Sequence, residues 1–148
     1  MTDLPLSTAN GLINYNDYVL GYTIDSWVQS AHKHNCMSNG WKVTPLHKGA
    51  FGYDNLACSI NKVLRSTQTP LGLSVDEAAD LIHQGWIENY IYWRDTMPWK
   101  NSTTYRKPAS PLGDARRNKC AGTPYVNLPQ DEKDKDILIA KFVIEKLD

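Results

Sequence analysis

The run Tyr125-Val126-Asn127-Leu128-Pro129-Gln130-Asp131-Glu132-Lys133-Asp134-Lys135-Asp136 leads into a tail where Ile137, Ala140, Ile144 and Leu147 recur at helical spacing. Proline suits a first helical turn, where its missing N–H is not needed, and acidic residues there sit at the positive end of the helix dipole. The stretch therefore predicts a helix from about Pro129 to Leu147 that buries one face.

Working outward from that tail, three more helical signals appear. Ser74-Val75-Asp76-Glu77 is a capping box, in which the serine hydroxyl and the glutamate each satisfy a backbone N–H of the other's residue. It opens a helix whose face carries Val75, Ala79, Ile82, Trp86, Asn89 or Tyr90, and Trp93, and which should stop before Pro98. Ile24, Trp27, Val28 and Ala31 follow Thr23 at helical spacing, with an end expected before Asn39-Gly40. A further helix is predicted from about Asp54 to Arg65 with Leu56, Ile60, Val63 and Leu64 inward, after a loop marked by Gly49 and Gly52 and before the breaker Thr69-Pro70-Leu71-Gly72.

The remaining stretches are irregular. Residues 1–22 read as an extended lead-in, and Trp41-Lys42-Val43 as either a strand or a connector. Residues 98–124 hold Pro98, Pro108, Pro111, Gly113, Gly122 and Pro124, which predicts a long loop without a helix. The fold class is therefore mainly α: one small domain of three to four helices, a long Pro/Gly-containing loop and room for a short β-hairpin.

Bulk properties narrow the function. Sixteen basic and sixteen acidic residues cancel, which argues against a dedicated nucleic-acid binder. Cys36, Cys58 and Cys120 show no CxxC spacing, so no structural metal is assigned, and His32, His34 and Cys36 lack the partners a site needs. No apolar run approaches the length of a membrane span, so a soluble, cytoplasmic protein with reduced thiols and no cofactor is expected. Nucleophile elbows, Walker loops and HExxH are absent, so no catalytic residue is named.

Candidate binding residues cluster in the second half. His83 and Trp86 share one helical face. His83 reads either as a core histidine bonded to a backbone carbonyl or, with Trp86 and Tyr90, as the wall of a pocket for a planar ligand. Five tryptophans and eight tyrosines against two phenylalanines suit a half-wet groove. Tyr105 and Tyr125 belong to the aromatic set around the long loop. Arg106, Lys107, Arg116 and Arg117 supply cations beside it, as an anionic ligand needs.

Ala78, Ala79, His83 and Trp86, followed by Tyr125, Leu128, Pro129, Glu132, Lys133, Asp136 and the tail from Ala140 to Leu147, resemble the ryanodine-receptor repeat (RyR) domain. The resemblance covers about residues 74–148, with 1–73 as an N-terminal helical elaboration on the same core. Residues 98–120 are longer than the family's pattern. The resemblance implies a stand-alone microbial or phage module that recognises a nucleotide-derived small molecule, a signal in phage–host conflict, without catalysis. The alternative is a protein-interaction module with an exposed Trp/Tyr surface, and self-association suits either reading. A fainter likeness, of His32-Lys33-His34-Asn35-Cys36-Met37-Ser38-Asn39-Gly40-Trp41, is to the MazG-type nucleotide pyrophosphohydrolases. Their Mg²⁺-binding glutamates have no counterpart in the helix around Leu56–Lys62.

Overall fold

A computed structural model describes residues 5–66 and 72–147. The chain runs through a two-stranded antiparallel hairpin, β1 (Tyr18–Val19) and β2 (Tyr22–Thr23), and then α1 (Ile24–Ser38), α2 (Phe51–Ser66), α3 (Val75–Thr96), α4 (Ala115–Ala121) and α5 (Gln130–Leu147). Tyr18 pairs with Thr23 and Val19 with Tyr22. The mainly helical class stands, with the hairpin at the end of the stretch read as an extended lead-in and reaching one residue past it. Of the breaker at 69–72, only Gly72 lies within the described residues.

Helix ends follow the local chemistry. Thr23 caps α1, its hydroxyl accepting from the Ser26 N–H. Both bonds of the Ser74–Glu77 capping box are made at α3, and Met97 ends that helix in the left-handed region just before Pro98. Helix α2 begins at Phe51, so Gly52 lies in its first turn and not in a loop. Trp41-Lys42-Val43 forms a connector, with Trp41 61% exposed. The loop at 98–124 departs most from expectation, because it contains α4. Asp114 caps this helix by accepting from the Arg117 N–H.

α2 packs most extensively on α3, α3 on α5, and α1 on α2 and α5. Ile24, Trp27, Val28, Ile60, Val63, Ile82, Ala140 and Val143 form the core between them. Gly85 sets the α2–α3 distance: a Cβ there would lie 2.6 Å from the Cys58 carbonyl oxygen and 2.8 Å from the Ser59 Cα. At the same crossing the Ser59 hydroxyl donates to the Ile82 carbonyl at 3.0 Å. These contacts draw α2 and α3 close together at the crossing.

Candidate functional site

A cavity of about 330 Å³ opens among α2, α3, α4 and the first half of α5. Helix α3 contributes Ile82, His83 and Trp86, α4 contributes Arg116, Arg117 and Cys120, and α5 contributes Glu132, Lys135 and Asp136. Helix α2 adds Phe51, Leu56 and Ser59 to the lining. The site thus has one aromatic and apolar wall and one charged wall.

His83 is buried and fixed in orientation. Its Nε2 lies 2.7 Å from the Thr123 carbonyl oxygen, and since a carbonyl only accepts, Nε2 carries the proton. Nδ1 faces the Asp136 carboxylate at 3.8 Å. Burial pushes the Asp136 carboxyl up to about 7, with Glu132 adding to the rise and Lys135 opposing it. Glu132 behaves oppositely. Although burial favours its neutral form, Lys135 and Arg116 hold it below the usual carboxylate range.

The two α4 arginines already have protein partners. Arg116 pairs with Glu132, its Nε 3.1 Å from Oε1. Arg117 donates to Asp114 Oδ1 at 3.0 Å, to the Pro111 carbonyl and to the Ser110 hydroxyl, and its guanidinium lies 6.0 Å from the Phe51 ring centroid. Burial and the neighbouring Glu132 push the Cys120 thiol up, away from the reactive thiolate.

Of the nine residues singled out in the sequence, His83, Trp86, Arg116 and Arg117 meet at this cavity. His83 is bonded to a backbone carbonyl, as in the first of its readings, and its ring also borders the cavity. Tyr90 does not reach the cavity. It is fully buried and stacks behind Trp86, with ring centroids 5.0 Å apart and planes 4° apart. Its hydroxyl donates to Asn118 Oδ1 and accepts from the Gly113 N–H, which moors the loop before α4.

Tyr105 likewise anchors the loop, donating to the Ser7 carbonyl and meeting Trp93 edge-on. Tyr125 is buried at the start of α3, where its hydroxyl donates to Asp76 at 3.0 Å. A phenol whose hydroxyl is held by the protein in this way is an anchor. Arg106 and Lys107 line a second depression of about 370 Å³, which shares Phe51, Gly52 and Arg117 with the first.

No protein-family model matches the chain, and no match was found among curated proteins or among solved structures.

Sequence reasoning missed the polar centre of the fold. Asp54 is fully buried and accepts from the Tyr15 hydroxyl at 2.5 Å, the Ala9 N–H at 2.8 Å and the Trp93 indole at 3.1 Å. Burial pushes its carboxyl up to about 6, against the pull of these three donors. The arrangement ties the lead-in to α2 and α3. The available signal was the abundance of polar-tipped aromatics, each of which needs a partner when buried.

The Cys36 Sγ lies 3.5 Å from His32 Nε2, while His34 packs on Phe142 of α5, so these three do not converge. Among the described residues, no group of three or more His, Cys, Asp and Glu is placed to hold a metal ion. No helix is long and apolar enough to cross a membrane among those residues.

Proposed function

We propose that the protein is a non-catalytic binding module for a nucleotide-derived small molecule, held in the cavity among α2, α3, α4 and α5. The observation that carries this reading is the meeting of His83 and Trp86 of α3 with Arg116 and Arg117 of α4. These two segments are well separated in sequence, and aromatic surface beside guanidinium groups suits a planar anionic ligand that exchanges with Glu132 and Asp114 for them. The cavity falls at the lower end of the size range of small-molecule sites, roughly 300–1,000 Å³. The resemblance of residues 74–148 to the RyR domain points to the same ligand class.

Thermal unfolding in the presence of mono-, di- and cyclic nucleotides and ADP-ribose tests this. A ligand at about 100 times its Kd stabilises by roughly 2.7 kcal/mol. Trp86→Ala and Arg117→Ala should each abolish that shift, while a panel without any shift contradicts the reading.

One observation favours a second reading, that of a protein-interaction module. The aromatic residues around the long loop are largely internal, but the lead-in exposes Leu6 (65%), Leu12 (81%) and Tyr18 (73%). Such side chains can serve as contacts for a protein partner or a second copy. Light scattering coupled to gel filtration, comparing the parent with a Leu12→Ser/Tyr18→Ser variant, tests self-association through this segment.

A further inference from the structure

The cavity and the neighbouring depression divide the available charge unequally. Around the cavity every cation has a carboxylate: Arg116 and Lys135 share Glu132, and Arg117 is held by Asp114. Within the second depression the lining holds no acid. Its Arg106 and Lys107 side chains make no hydrogen bond or ion pair among the described residues, and both are exposed. The unneutralised positive charge therefore lies beside the cavity and not inside it.

The placement of these two cations is built into the fold. The Arg106 N–H donates to the Gly49 carbonyl at 2.9 Å, which fastens the loop to the chain entering α2. Gly49 has φ +89°, and a Cβ there would lie 2.4 Å from the Thr104 carbonyl oxygen, so only glycine permits this close approach. Tyr105, just before Arg106, is tied to Ser7. Phe51 and Arg117 form the ridge shared by both depressions.

We infer that the depression under Arg106 and Lys107 is a polyphosphate subsite continuous with the cavity. The ligand class is then a nucleoside di- or triphosphate or a diphosphate-linked conjugate, in preference to a nucleoside monophosphate or a cyclic mononucleotide. The ring occupies the side of Trp86 and His83, the first phosphate meets Arg117, and the following phosphate reaches Arg106 and Lys107. This rests on the binding function proposed above for the cavity.

Isothermal titration with adenosine and guanosine mono-, di- and triphosphates tests it, using the parent, Arg106→Gln/Lys107→Gln and, as a control, the exposed α1 variant Lys33→Gln. The parent and control should bind a diphosphate at least about tenfold tighter than its monophosphate, as one added charge-assisted contact provides. The double variant should bring the two within about twofold while leaving monophosphate affinity unchanged. Equal affinities in the parent, or an advantage that survives in the double variant, overturn the subsite and leave the cavity reading standing. No binding by any of the six nucleotides overturns both.

Discussion

Gly85→Ala is the substitution most directly tied to the packing that shapes the cavity. The added methyl carbon would sit 2.6 Å from the Cys58 carbonyl oxygen, 2.8 Å from the Ser59 Cα and 2.9 Å from the Cys58 carbonyl carbon. All three are backbone atoms, so no side chain can swing aside. Relief requires α2 to move away from α3, and both helices line the cavity. Overpacking of this kind costs up to about 3 kcal/mol. Replacing a mid-helix glycine by alanine returns roughly 1 kcal/mol of helix propensity. A net loss of about 2 kcal/mol remains, or roughly 6 °C in Tm for a domain of this size. Urea and thermal unfolding followed by circular dichroism measure it. A Gly85→Ala protein as stable as the parent would refute the close α2–α3 crossing and the cavity geometry built on it.

Other outcomes follow from single contacts. Tyr90→Phe removes the bonds to Asn118 and Gly113, and should cost about 1–2 kcal/mol and speed hydrogen exchange across residues 111–118; unchanged exchange there would contradict the mooring role. Leu20, at φ 50° and half-exposed, holds a left-handed conformation that disfavours L-residues, so Leu20→Gly should raise stability by about 1 kcal/mol in thermal unfolding. Asp136 keeps its proton more tightly folded (up to about 7) than unfolded (3.8). Its stabilising contribution is therefore complete below the unfolded value and is lost as pH rises through the folded one. Urea unfolding should show lower stability at about pH 8 than at about pH 5, with a slope of at most about 1.4 kcal/mol per pH unit from this group. Asp54, pushed up to about 6, adds to the lower part of that range, so Asp136→Asn should reduce the slope most between about pH 6 and 8. Asp54→Asn presents an amide to a site built from three donors, and should cost about 2–4 kcal/mol in the same assay.

The parts of the fold that were legible are those with a local cause. The apolar spacing after Thr23, the cap at Ser74 and the Leu128-Pro129 step are each decided within a few residues, and the corresponding helices begin where expected. Helix α4 was hidden because it is seven residues long, buries none of them and lies among prolines and glycines that signal a loop. The hairpin turns at Leu20-Gly21 without the Asn-Gly signature of such turns. At the site, the spacing of His83 and Trp86 put them on one face, as found. Glu132 and Asp136 read as dipole-stabilising acids of a helix start, whereas Arg116 of α4 pairs with Glu132 and both acids line the cavity. Asp54 carried no local sign of burial, because its donors Tyr15 and Trp93 lie far away along the chain.

The occupancy of the cavity is best read from the tryptophan side chains. Five tryptophans give five indole N–H signals in a ¹⁵N-correlated spectrum, and Trp86→Phe assigns the one at the cavity. Titration with a nucleoside diphosphate should move the Trp86 signal while leaving that of Trp41, exposed after α1, in place. A Trp86 signal unmoved at saturating nucleotide, or a response at Trp41 alone, would contradict ligand binding at this site.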